Sequence, residues 1–106
     1  MLYTRLGRSD IEISKLILGT WAIGGANWGP YDESQAVSAI DAAIDSGITT
    51  IDTAPTYGSG HAEELIGRTI KGRRDRVVIA TKWPGLSKRL CPRPHARLSG
   101  TGAREF

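Results

Sequence analysis

An aspartate and a lysine end two successive apolar segments of the chain, where parallel strands would bring their side chains together. Asp52 lies near the end of segment 48–54, and Lys82 ends segment 77–82. Neighbouring parallel strands are ~4.8 Å apart, so the carboxylate and the ammonium can meet. We expect the carboxylate to be paired, because an unpaired charge on a fully buried strand is costly. The resulting ion pair is either purely structural or part of a site.

A tyrosine near this pair would give it a chemical use. Tyr57 lies on the loop that leaves the strand of Asp52. An ammonium beside a phenol favours the phenolate, which makes the phenol a better acid. Such a phenol can protonate a developing alkoxide by general acid catalysis. The alternative is a tyrosine that only packs on its loop. We therefore take Asp52, Tyr57 and Lys82 as candidate catalytic residues.

The segments between these residues predict a β-α-β-α-β unit preceded by a hairpin at 5–13. Apolar or β-branched segments at 15–20, 48–54 and 77–82 predict three strands. One helix is expected between Asp32, its N-cap with Gln35 in the capping-box position, and Gly47. A second helix is expected between Ala62 and Gly72. Buried strands joined by helices predict a parallel sheet with right-handed crossovers.

Two architectures share this element order. A doubly wound dinucleotide fold would carry G-x-G-x-x-G directly after its first strand, and residues 19–26 do not have that spacing. A (β/α)8 TIM barrel places its working residues at the C-terminal ends of its strands, which is where Asp52 and Lys82 lie. The α/β fold class we predict is therefore the N-terminal part of a (β/α)8 barrel.

Residues 51–67, IDTAPTYGSGHAEELIG, resemble the signature of the aldo-keto reductase family. The segments LGTW (18–21) and IATK (79–82) resemble the same family at matching intervals. The resemblance covers residues 1 to about 83. It implies a barrel with an N-terminal hairpin at its base. It also implies an enzyme that reduces aldehydes or ketones to alcohols with NADPH, or NADH, as cofactor.

The same resemblance implies a role for each candidate residue. Tyr57 would donate the proton to the substrate carbonyl, Lys82 would make the phenol more acidic, and Asp52 would hold Lys82. The cofactor-binding residues that it implies are Gly19, Thr20, Trp21 and Asp52. A short-chain dehydrogenase is excluded, because the tyrosine and the lysine are 25 residues apart rather than in a Tyr-x-x-x-Lys motif.

The composition limits which binding partners and which cellular location we expect. The net charge of +3 arises from the last residues, since 84–106 carry +4 and 1–83 carry −1. This predicts a solvated tail rather than a nucleic-acid surface. No apolar run approaches a membrane span, and the first ten residues do not resemble a secretory signal, so we expect a cytoplasmic protein. One cysteine and two histidines offer no metal site. The expected partner is a small carbonyl substrate, and the oligomeric state stays open.

The composition changes abruptly after Trp83. Prolines and arginines replace the apolar periodicity, so we divide the chain into a barrel fragment, 1–83, and an unstructured basic tail, 84–106. The family's catalytic histidine follows a fourth strand, which the sequence does not show. We therefore expect a truncated reductase that is inactive by itself. The alternative is an inactive remnant or a non-enzymatic auxiliary subunit.

A frameshift would explain this change of composition. We expect the nucleotide sequence beyond the codon of Trp83, translated in all three frames, to show further barrel sequence in another frame. An intact frame with no shifted barrel sequence beyond it would contradict this prediction.

Overall fold

The computed structural model describes residues 1–24 and 32–83. The predicted tail, 84–106, lies outside these ranges. Seven strands and helices are described: β1 (Tyr3–Arg5), β2 (Glu12–Ser14), β3 (Ile17–Gly19), α1 (Glu33–Asp45), β4 (Thr50–Asp52), α2 (His61–Thr69) and β5 (Val78–Ala80). Three short 3-10 turns accompany them, at Ala22–Gly24, Tyr57–Gly60 and Arg74–Arg76.

The sheet topology is the one that the sequence predicts. Strands β1 and β2 pair antiparallel as a hairpin, and β3, β4 and β5 form a parallel sheet with β4 in the centre. Each strand has three residues, so the strands are shorter than predicted. At the start of β4 the reason is local, because the Ile48 N–H donates to Ala43 O at 2.9 Å and so belongs to the end of α1.

The core lies between the parallel sheet and the two helices. Leu18, Ile51 and Ile79 are partners in neighbouring strands and therefore share one face of the sheet. Leu18 and Ile79 pack against a cluster of buried side chains to which Ile51 belongs. The cluster consists of Ile40, Ile44, Ile51, Ile66, Ile70 and Val77. Burial of this apolar face stabilises both helices more than their intrinsic propensity does.

Helix α1 begins at the predicted N-cap. Asp32 Oδ1 accepts hydrogen bonds from the backbone N–H and the hydroxyl of Ser34, at 2.9 and 2.6 Å. The Ser34 hydroxyl and N–H together hold the pKa of Asp32 below its usual value. At the other end Gly47 adopts a φ of 91°, the left-handed conformation expected after a helix.

The hairpin attaches to the N-terminal end of β4, opposite to Asp52. Ser14 is fully buried, and its Oγ accepts from the backbone N–H groups of Thr49 and Thr50, each at 3.1 Å. The Ser14 N–H donates in turn to Thr50 Oγ1 at 3.0 Å. The Tyr3 hydroxyl donates to Gly47 O at 2.9 Å. This placement agrees with a hairpin at the base of a barrel.

The second face of the parallel sheet is exposed along β3 but covered by the hairpin at Thr50 in the central strand, which is 2% exposed. Ile17, Thr50 and Val78 are partners on this face, and Ile17 is 49% exposed. The neighbouring Leu16 is 60% exposed. Within residues 1–24 and 32–83, neither β3 nor β5 pairs with a strand on its outer edge. In these same ranges, no helix has the length and apolarity needed to cross a bilayer.

We expect the purified 106-residue chain to self-associate, because exposed apolar side chains and unpaired strand edges favour aggregation. Leu16→Lys should raise the monomer fraction, as measured by sedimentation velocity. Ser38→Lys adds the same charge to the exposed face of α1 and should have a smaller effect. Cooperative thermal unfolding of a monomeric parent chain would contradict the prediction.

Candidate active site

The predicted ion pair forms at the C-terminal edge of the parallel sheet. Asp52 is the last residue of β4, and Lys82 follows the end of β5 by two residues. Lys82 Nζ donates to Asp52 Oδ1 at 2.9 Å and to Asp52 Oδ2 at 3.0 Å. It also donates to the Thr53 carbonyl oxygen at 2.8 Å. The three bonds fix the ammonium at one place on the rim of the sheet.

The ion pair is only partly buried, although it lies at the end of a buried strand. The Asp52 side chain is 41% exposed and the Lys82 side chain 51%. The carboxylate lies at the end of the buried strand, and its partners on either side are small: Gly19 in β3 and Ala80 in β5. Without large neighbours, the carboxylate stays open to solvent and to a ligand.

Tyr57 lies next to this pair. It begins the Tyr57–Gly60 turn, where the sequence predicts a loop. Lys82 Nζ is 5.3 Å from the centroid of the Tyr57 ring, within the range of a cation–π contact. The structure therefore brings together all three residues that the sequence names as catalytic candidates.

The environment of Lys82 favours its charged form. Partial burial acts to lower the pKa of Lys82, but the hydrogen bond and the negative charge of Asp52 outweigh it, and Tyr57 adds to their effect. The net result is a pKa above the ordinary value for lysine. Since the folded-state value is the higher one, the pair stabilises the fold fully below the ordinary pKa. This contribution is lost as the pH rises through the raised value.

The residues named for cofactor binding border the same edge. Gly19 is exposed, and a Cβ placed there would have no atom within 4 Å. Trp21 is 55% exposed. Thr20 is fully buried, and both its hydroxyl and its N–H donate to Asp52 O, at 2.8 and 3.1 Å. Gly19 thus borders open space and Trp21 is partly exposed, whereas Thr20 anchors the following turn to β4.

Two further residues support the site, and sequence reasoning missed their contact. The Thr81 hydroxyl donates to Glu63 Oε1 at 2.7 Å, which joins the residue before Lys82 to the first turn of α2. Glu63 lies in the first turn of α2, where its carboxylate also suits the positive end of the helix dipole. The available signal was a polar residue beside Lys82 at the end of an apolar strand. Among the described residues, no group of three or more His, Cys, Asp or Glu could hold a metal ion.

A polar site at the C-terminal edge of a parallel α/β sheet is typical of barrel enzymes. A model of the aldo/keto reductase family matches residues 15–103, and the chain belongs to this family.

Named relatives agree with this membership. The chain is 54% identical over 84 residues to the aldo-keto reductase YhdN of Bacillus subtilis (strain 168), an alignment that covers 77% of this chain and 25% of that protein. It is 44% identical over 80 residues to an NADH-specific methylglyoxal reductase of Escherichia coli (strain K12), which covers 73% and 24% of the two chains. The chain thus spans about a quarter of the length of these relatives.

The fold is similar to that of solved family members. An aldo/keto reductase from Klebsiella pneumoniae, in complex with NADP and acetate, superposes with a TM-score of 0.59 at 38% sequence identity. The match covers 76% of this chain and 30% of that one. The α/β unit described above therefore has the fold of the corresponding part of an aldo-keto reductase barrel.

Replacing the carboxylate should change the titration of Lys82. We expect Asp52→Asn to lower the pKa of Lys82, because partial burial then acts without the opposing charge. NMR titration of the Lys82 ε-methylene protons measures the change. Asp45→Asn removes the same charge from the exposed end of α1 and should leave the midpoint in place. Equal midpoints in the two variants would count against the assigned cause.

Proposed function

We propose that Asp52, Tyr57 and Lys82 form the proton-transfer part of an active site that reduces an aldehyde or ketone to an alcohol. The observation that carries this proposal is the position of Lys82. Its ammonium is bonded to both oxygens of Asp52 and is 5.3 Å from the Tyr57 ring, at the edge where barrel enzymes bind substrate.

Each residue has one task in this proposal. The Tyr57 phenol gives its proton to the carbonyl oxygen as the carbonyl carbon is reduced. The Lys82 ammonium stabilises the phenolate that remains. Asp52 keeps the lysine charged and oriented. A reduced nicotinamide nucleotide, when bound, supplies the hydride that reaches the carbonyl carbon.

The residues at the rim fit such a cofactor. Gly19 leaves open space beside Asp52, and the exposed Trp21 offers an aromatic surface next to it. The complex with NADP and the NADH-specific relative support either NADPH or NADH as the nucleotide. The named activity of the second relative, on methylglyoxal, supports a small carbonyl compound as substrate. A cytoplasmic location, where both nucleotides are available, is part of the proposal.

A second candidate concerns the 106-residue chain by itself, as an inactive remnant or a non-enzymatic subunit. It is favoured by the three-stranded parallel sheet of the described residues, whose outer edges are unpaired. A site on one edge of such a sheet lacks the opposing wall that excludes water from a reaction. We propose that reduction requires the rest of a barrel around this site.

The chemistry is tested in a complete barrel. Residues 1–83 replace the matching part of the Bacillus subtilis relative, and NADPH oxidation is followed with small aldehydes. Tyr57→Phe should lower kcat by about 100-fold or more, the usual contribution of a general acid. Tyr3→Phe is the matched control, because the Tyr3 hydroxyl bonds to Gly47 O near the N-terminal end of β4.

Equal activity of the two tyrosine variants would contradict the role of Tyr57. The isolated chain is tested in parallel by NADPH fluorescence titration. Saturable binding in the micromolar range would favour an enzyme, whereas no binding would favour the remnant.

A further inference from the structure

We infer that a backbone contact between Gly24 and Gly58 positions Tyr57 beside Lys82. Gly24 ends the Ala22–Gly24 turn, and Gly58 directly follows Tyr57. The functional part of this inference, that the position serves catalysis, rests on the role proposed for Tyr57. The geometric part concerns the two glycines alone.

Neither glycine leaves room for a side chain. A Cβ at Gly24 would lie 2.5 Å from Gly58 N and 2.7 Å from the Tyr57 carbonyl carbon. A Cβ at Gly58 would overlap the carbonyl group of Gly24. In both cases the obstacle is backbone rather than a flexible side chain. Two turns that leave different strands therefore meet main chain to main chain, and one of them carries Tyr57.

The Ala22–Gly24 turn is itself anchored to β4. The hydroxyl and N–H of Thr20 both donate to Asp52 O, and the Ile23 N–H donates to Thr20 O at 3.1 Å. The Gly24 N–H donates to Trp21 O at 3.2 Å. The side chain of Ile23 packs against the hydrophobic core. Asp52 thus has two contacts: its carboxylate accepts hydrogen bonds from Lys82, and its backbone carbonyl holds the turn that Gly58 contacts.

These contacts form a closed series that begins and ends at Asp52. Asp52 fixes the first turn through its carbonyl oxygen, and the first turn holds the second through Gly24 and Gly58. The second turn carries Tyr57, whose ring lies beside Lys82. Lys82 in turn donates a hydrogen bond to the Asp52 carboxylate. A displacement at Gly24 would therefore move Tyr57 without breaking the Asp52–Lys82 pair.

The conformation of the second turn is also unusual. Gly58 has φ 60° and ψ 30°, and Ser59 has φ 56° and ψ 40°. A left-handed conformation is unfavourable for a residue with a side chain, so Ser59 is held there at a cost. A strained turn persists only where its surroundings determine it. The contact with Gly24 is such a constraint.

The test is solution NMR on the full chain that carries Leu16→Lys to favour the monomer. We expect a cross-peak between the Gly24 α-protons and the Gly58 amide proton. We also expect cross-peaks between the Tyr57 ring and the Lys82 ε-methylene protons, which the ring current should shift upfield. Gly24→Ala should remove the Tyr57–Lys82 cross-peaks and the upfield shift. The pKa of Lys82 should stay above its ordinary value, because Asp52 remains.

Gly67→Ala is the matched control, because a Cβ at this position in α2 meets no atom within 4 Å. It should keep every cross-peak. Absence of the Gly24–Gly58 cross-peak from the parent spectrum overturns the inference, even if Gly24→Ala does not fold. Retention of the Tyr57–Lys82 cross-peaks in Gly24→Ala overturns it as well. Since none of these measurements uses activity, failure of the proposed reduction leaves the geometric result standing.

Discussion

The Lys82 ammonium is held by three oxygen acceptors, two from the Asp52 carboxylate and one from the Thr53 carbonyl. This cation connects the ends of β4 and β5, and the role proposed for Tyr57 depends on its charge. The pair is half-exposed, so its value as a surface salt bridge is small. Its position matters more than its energy, because it orients the candidate site. The hydrogen bonds of Thr20 and Thr81 place the backbone on either side of it.

The parts of the fold that were predictable from the sequence are those with a local or periodic signal. Asp32 and Gly47 marked the ends of α1, and its buried residues Ala36, Ile40 and Ile44 recur at helical spacing between them. The apolar segments indicated the three parallel strands but not their register, which aligns Gly19, Asp52 and Ala80. The meeting of Asp52 and Lys82 could therefore be deduced from their positions at strand ends. The family signature then suggested the roles, which still rest on proposal.

Other features had no signal in the sequence, because they arise only when distant segments meet. The exposure of Asp52 depends on Gly19 and Ala80 on either side of it, and a single strand does not reveal its neighbours. The contact of Gly24 with Gly58 joins residues that lie in separate loops, and loops have no periodicity to indicate their contacts. The Thr81–Glu63 bond likewise requires that α2 lies over the end of β5. Each of these features depends on contacts between distant segments, so the residue types of one segment do not determine it.

The contacts at both ends of β4 also protect the sheet against errors in strand register. Side chains alternate along a strand, so a slip of one residue would turn Ile51 toward solvent and the Asp52 carboxylate into the apolar core. A strand of three residues has few ladder bonds to resist such a slip. The Ser14 hydroxyl accepts hydrogen bonds from the N–H groups of Thr49 and Thr50 and so fixes the position of the start of the strand. The buried hydroxyl of Ser14, at the N-terminal end of β4, therefore helps to determine which side chain lies at the C-terminal edge of the sheet.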